Sequence, residues 1–480
     1  MLAAQIAIAI TSLAGCALGP DFERPTPPQA DRYTAQPLDL GVAGDDASQH
    51  VVLGESLRSD WWRLFQSDAL DGVVERALAG NRTLKEAAAT LAQSQELAAA
   101  QAGALAPQVG LTAGTGRQKY GAEFLGTSPK PPPFTYFAVG ATISYALDYT
   151  GGIARSVEQR YALADYQRQQ LQAAYLAVTG NAVMQALKIA SLRAQVATVN
   201  AILDQDRENL KLVNVAFSAG SVSRLDIVTA QSQLASDTTL LPPLRRELGV
   251  ARHALALIMG ETPAAATPPE FDLARLELPK ALPVSLPSEL AHQRPDILAA
   301  EAQLHAATAA VGVANANLYP HIDLSASTGQ QAVDLAHMFD RAANVFGLGA
   351  ALVAPLFDGG TLHAQQRAAV DALHASTANY EQTVLTAFSQ VADSLEALEH
   401  GAEALDAQAH AQDAARDNVD LTRKSYNEGN VGVLQVLDAE RLYQQARLGF
   451  VRAEAQRYMD TVQLFLALGG SSQAAEHAEP

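Results

Sequence analysis

Two stretches of the chain, 153–216 and 361–425, place apolar residues at alternating steps of four and three, and no proline interrupts either. In the first, Leu192, Val196, Val199 and Leu203 are followed by Leu210, Val213 and Phe217, with Asp206 standing in the seam between them. In the second, Val384, Phe388, Val391, Leu395, Leu398, Ala402 and Leu405 keep the same steps. That period predicts an α-helical coiled coil. At about 1.5 Å per residue each stretch would run roughly 95 Å, more than a globular core uses. A Gly-containing turn follows each, and then a shorter helical stretch, 221–260 or 431–468. Alanine-rich helical stretches, 68–105 and 289–318, come earlier in each half. End to end, 221–260 and 289–318 would span about 105 Å at the same rise, enough to lie beside one long helix.

Between each alanine-rich stretch and its long helix the period changes to two. Residues 109–113 and 137–147 alternate in the first half, and 322–327 and 345–353 in the second, which reads as strands. Loop-like stretches, 129–133 and 330–341, separate the members of each pair. The order helix, two strands, long helix, short helix therefore occurs twice. Sequence anchors confirm a duplication at a nearly constant shift of about 210 residues. Leu105-Ala106-Pro107-Gln108-Val109 returns as Leu318-Tyr319-Pro320-His321-Ile322, and Gly151-Gly152 as Gly359-Gly360. The turn around Gly220 returns around Gly429, and Met259-Gly260 returns as Leu468-Gly469. The repeats occupy 61–263 and 289–470, with a proline-rich equatorial connector at 264–288 and a tail at 471–480.

Composition narrows the function. With 51 acidic and 33 basic residues the formal charge is −18, so no net positive field favours a nucleic acid. A single cysteine excludes a disulfide framework and a Cys-based zinc site. Beyond the first 15 residues no long apolar run predicts a transmembrane helix. Residues 1–15 read as a signal peptide, whose short apolar core ends in Leu13-Ala14-Gly15-Cys16. That ending resembles the bacterial lipobox, in which cleavage precedes the cysteine and its thiol is acylated. Ala17, in place of the Asp that retains lipoproteins at the inner membrane, favours the outer membrane by the same resemblance. No Lys or Arg lies ahead of the apolar core, which leaves an upstream start codon open. Residues 16–60, rich in Pro, Gly and Asp from Asp21 onward, read as a lipidated, extended tether.

Four strands cannot close a barrel, and an open sheet edge is not viable in lipid. Strands of about ten residues suit a bilayer crossing. Several chains sharing one barrel would satisfy both conditions. Eight strands would be plugged by side chains, and twelve or more could hold water.

The chain resembles the TolC-like outer-membrane efflux factors, in their lipoprotein branch associated with nodulation-type and multidrug tripartite pumps. The likeness covers about 61–470. It is strongest from Trp61-Trp62-Arg63-Leu64-Phe65 through Asn81 to Leu84, where Ser67-Asp68-Ala69 and Thr83 depart from the common pattern. Arg294-Pro295-Asp296-Ile297 opens the second half, and Leu356-Phe357-Asp358-Gly359-Gly360 matches the re-entry from barrel to tunnel. The resemblance implies a mainly α fold with a small membrane β-barrel: a trimer with a twelve-stranded barrel, a long helical periplasmic tunnel and an equatorial belt. It implies a passive duct in the outer membrane, docked on a periplasmic adaptor and an inner-membrane pump. Its cargo would be drugs, toxic organics or metal ions, with no cofactor.

Two groups of residues are candidate sites. The tips at Gly220 and Gly429 are helix C-caps by composition, and the resemblance adds adaptor contact. Val222, Ser223, Leu225 and Asp226 match that pattern, as do Val431, Leu434 and Leu437, whereas Gly432 and Gln435 replace the usual Ser and acidic residue. Asp413, Asp417 and Asp420, spaced by four and three, share one helix face. Asp204 and Glu208 occupy the places equivalent to Asp413 and Asp417. This stripe is either a solvated face or a ring of carboxylates gating the tunnel end, with Arg423, Lys424, Arg207 and Lys211 supplying ion pairs. No catalytic constellation or phosphate loop occurs, and the 11 histidines, among them His292, His305, His321, His363 and His374, are not at metal-ligand spacing. A structural trimeric coiled-coil lipoprotein of the envelope is the alternative. It would need no duplicated strand pairs.

Overall fold

The computed structural model describes residues 17–26, 30, 32–34, 49–119 and 132–470. Cys16, and with it the lipidation reading, lies outside them. The chain divides into two compact units, one of residues 1–25, 90–168 and 299–381, the other of 26–89, 169–298 and 382–480.

The first unit is built on a four-stranded antiparallel sheet in the order β2 (Gln108–Gln118), β3 (Phe134–Ala146), β5 (His321–Ala332), β6 (Asn344–Val353). The strands sit where period-two alternation placed them and run further. Register separates the faces. Val109 pairs with Ile143, Ile143 with Ala326, and Ala326 with Leu348, so these side chains share one face. Leu111, Val139, Leu324, Phe346 and Leu352 fall on that face by the same parity. Thr112, Gly140 and Gly329 are partners on the opposite face, with Thr142, Ser325, Ser327, Gly347 and Gly349. One side is thus mostly apolar and the other mostly small and polar, with Phe134, Tyr136, Val345 and Val353 the large exceptions on the second. The outer edges of β2 and β6 have no partner among the described residues.

Each strand pair returns to a helix through a carboxylate. Asp148 accepts from the N–H groups of Ile153 (2.9 Å) and Ala154 (2.7 Å), at the start of α3 (Gly152–Ser218). Asp358 accepts from Gly360 (2.8 Å) and Leu362 (2.7 Å), at the start of α8 (Thr361–Asn427). Both helices have 67 residues. Of the stretch read as an extended tether, residues 18–24 lie against the protein. The Leu18 N–H donates to the Thr150 carbonyl at 3.0 Å, Phe22 stacks on His305 at 4.4 Å, and Arg24 pairs with Glu301 at 2.7 Å. By length and composition alone α7 (Pro295–Ala316) is apolar enough to cross a membrane. About half of that stretch is buried within the protein, as a core helix would be.

In the second unit most of the heptad seam is buried, at Leu192, Val199, Leu203 and Val213 and at Val384, Val391, Leu395 and Leu398, whereas Phe217 at the end of the first is 43% exposed. Small residues let helices approach. A Cβ on Gly180 would stand 2.4 Å from Leu466 of α9 (Val433–Ala467). The Trp61–Phe65 stretch is core: Trp61 and Phe65 pack on Phe465 at 5.6 and 6.4 Å between ring centroids. Arg294 is buried too, donating to the Ala467 carbonyl and Gln390 at 2.7 Å each.

Three helical stretches divide where the sequence reading kept them whole. The first becomes α1 (Asp68–Gly80) and α2 (Arg82–Ala102), because the Asn81 side chain accepts from the N–H groups of Thr83 and Leu84 and begins a new helix. The return after the first tip becomes α4 (Arg224–Thr238) and α5 (Leu241–Ile258), since Pro242 and Pro243 offer no N–H to continue the ladder. Pro295 separates α6 (Pro287–Leu290) from α7. The connector holds a strand that was not anticipated: β1 (His50–Leu53) pairs in parallel with β4 (Ala281–Val284). Four residues are too few to show a period, and Pro283 argues against a strand.

Candidate functional site

Both tips end their long helix in the same turn. Gly220 and Gly429 take the left-handed conformation, at φ 78° and 77°. The Gly220 N–H donates to Phe217 and the Ser221 N–H to Ala216, at 2.9 and 3.0 Å. Gly429 donates to Tyr426 and Asn430 to Ser425, both at 2.9 Å. This is the Schellman arrangement, which only glycine adopts without strain.

Beyond the turns the tips differ. Ser223 caps α4 in a reciprocal box with Asp226, whose carboxylate accepts from the Ser223 N–H at 2.7 Å and from its hydroxyl at 2.8 Å. These bonds hold the Asp226 carboxyl below its ordinary range. Gly432, at the matching place before α9, supplies no side-chain cap. Leu225 is 68% exposed and Leu434 43%. Leu437 corrects the reading of it as a contact residue. At 9% exposure it packs with Val213 and Ala230, and Val222 lies against the same cluster. Those two side chains hold the hairpins to each other. Val431 is half-buried, and Gly220, Ser223 and Gly429 are exposed.

The acidic stripe is solvated within the chain. Asp413 pairs with Arg416 at 2.8 Å, Asp204 with Arg207 at 2.6 Å and Glu208 with Lys211 at 3.4 Å, all one turn apart on their own helices. Asp417 and Asp420 are exposed and have no ion-pair partner among the described residues, nor does Lys424. Arg423 turns away from the stripe. Its Nη2 and Nε donate to Oε1 of Glu440 on α9, at 2.7 and 3.1 Å.

Glu440, 4% exposed, escaped the sequence reading, as did Asn209, which donates to its other oxygen. Asp206, 5% exposed, sits beside them. Burial, and then the facing Asp237, push its carboxyl up to about 7. A polar residue in the apolar seam was the one signal in the sequence for this contact.

The outer membrane efflux protein family model matches residues 73–261 and 286–470, close to the two repeats. The pyoverdine export outer membrane protein OpmQ of Pseudomonas aeruginosa is 32% identical over 460 residues, 92% of this chain and 94% of its own. The solvent efflux pump outer membrane protein SrpC of Pseudomonas putida is 28% identical over 98% of both. The solved outer-membrane channel OprN matches with a TM-score of 0.86 at 28% identity, over 95% of this chain and 99% of that one. The open-state MtrE channel of Neisseria gonorrhoeae matches at 0.80 with 25% identity, over 95% and 98%.

Proposed function

The chain belongs to the outer membrane efflux protein family and is the outer-membrane component of an efflux pump; from that premise we propose that three copies share one barrel and form a passive duct. The observation that carries this is the two-faced sheet with free edges at β2 and β6. Its apolar face suits lipid and its face of Gly, Ser and Thr suits water, but neither edge is tolerable in a bilayer alone. Three such sheets joined edge to edge make a twelve-stranded barrel wide enough for an aqueous path. Native mass in detergent checks this. Three chains are expected, and a monomer that conducts ions would overturn it.

The helical hairpins then form the periplasmic tunnel, and the exposed tip residues meet the adaptor of an inner-membrane pump. The pump supplies the energy and chooses the small-molecule cargo, while the duct performs no chemistry. Acylated Cys16 fastens the chain to outer-membrane lipid. Ala17 supports that reading, because it packs against Gly151 just after β3, where a Cβ on the glycine would lie 2.7 Å from its Cα. Labelling with a fatty-acid analogue should be lost in Cys16→Ser.

In that trimer Asp413, Asp417 and Asp420 would form a cation-attracting ring near the tunnel end, a reading supported by the exposure of Asp417 and Asp420 and by their having no ion-pair partner among the described residues. The undocked channel is expected to be cation-selective. Replacing Asp413 and Asp417 by Ala should move the reversal potential toward zero in a salt gradient, and less so at high salt. An unchanged potential would leave the stripe a solvated outer face.

A further inference from the structure

A buried acidic contact joins the two hairpins at a place the duct reading does not use. One oxygen of Asp206 on α3 has no hydrogen-bond partner. Asp237 of α4 faces it, as do Gln444 and Glu440 of α9. Arg423 approaches from α8, and its guanidinium is committed to Glu440. Asn209, one turn further along α3, also donates to Glu440. The adjoining cleft is lined by Arg416 and Asp420 of α8 and by Tyr443 and Arg447 of α9. Three carboxylates therefore meet where the one paired cation, Arg423, is bonded to Glu440, and one Asp206 oxygen is left unmatched. An ionised carboxylate offers only acceptors, whereas a protonated one can donate to its neighbour.

We propose that Asp206 is a proton-operated clasp: protonated, it ties α3 to α4 below the first tip, and on losing its proton to water it repels Asp237 and Glu440 and frees α4. The raised carboxyl sets the working range near neutrality. In the closed arrangement Asp206 holds its proton up to about pH 7. Once opened to solvent it would release that proton near the ordinary value of about 3.9. Between those values the closed form binds more protons, so closure weakens as pH rises toward 7 and then levels off.

Hydrogen exchange on the full-length protein in detergent tests this, with amide rates corrected for their intrinsic pH dependence. Protection of Arg224–Thr238 should fall by up to about tenfold per pH unit between about pH 5 and 7 and change little above about pH 8. Asp206→Asn keeps the shape without the charge and should abolish the slope. Asp413→Asn, in the exposed stripe, should leave it intact. Should Asp206→Asn fail to fold, Asp237→Asn must end the decline at a lower pH. Flat protection in the unaltered protein, an unchanged slope in Asp206→Asn, or an unchanged end-point in Asp237→Asn would overturn the clasp. The contact lies within one chain, so this outcome is separate from whether three chains assemble.

Discussion

The two hairpin tips descend from one duplicated turn, and they are held in different ways. Both share the apolar cluster, but the first adds a local cap: Ser223 and Asp226 bond each other at the start of α4, with Leu225 exposed beside them. The second has no side-chain cap at Gly432 and is secured at a distance, by Arg423 on Glu440 and by Leu437 in the shared cluster. A local cap leaves the surrounding surface free to present side chains. A cross-helix anchor ties the tip to its neighbours. Duplication preserved the left-handed glycine, which the backbone requires, and let the means of fastening diverge.

The most severe way to break this contrast is Glu440→Ala, which strands Asn209 and Arg423. Because Arg423 is partly solvated, the loss is discounted to about 2 kcal/mol. It should appear as faster amide exchange in the first turns of α9, with the first turn of α4 little affected. Equal loosening at both tips would erase the distinction. Leu225→Ala should weaken pull-down of the adaptor by about tenfold, in the range of a hot-spot side chain. Leu434→Ala, less exposed, should cost less, and the reverse order would move the docking surface to the second tip.

Ser223→Ala should raise exchange several-fold in the first turn of α4 alone. Acid should do the same. The Asp226 carboxyl is held below its ordinary range, so the cap is present above about pH 3.9 and is lost as the pH falls through the lower folded value. Smallest of all, Gly432→Ser with Gln435→Asp should install the missing box and stabilise the start of α9 by a few tenths of a kcal/mol.

Repetition and period made much of the fold legible. The two long helices, the four strands, the double-glycine re-entries and the glycine tips all announce themselves through spacing, because a helix seam and a pleated strand are periodic objects. What stayed hidden depends on partners distant in the chain. Glu440 looks like any charged residue on a helix until Arg423 and Asn209 are seen upon it. Leu437 resembles Leu434 in sequence, and only packing shows that one is core and the other surface. β1 and β4 are too short for any pattern to mark. The stripe Asp413, Asp417 and Asp420 was legible as a stripe, but nothing in its spacing told that Arg423 would face elsewhere.

The free edges of the four-stranded sheet also bear on the life of a newly made chain. In the proposed three-chain barrel, each copy carries, until its neighbours arrive, two edges that have no partner among the described residues, beside a mostly apolar face. Such an edge pairs with almost any extended segment it meets, correct or not. The interval between release and assembly is therefore the period of greatest aggregation risk, and faster synthesis lengthens the queue of chains exposed to it. Yield of functional protein should fall once production outruns the rate at which copies find one another, even though no folded subunit has become less stable.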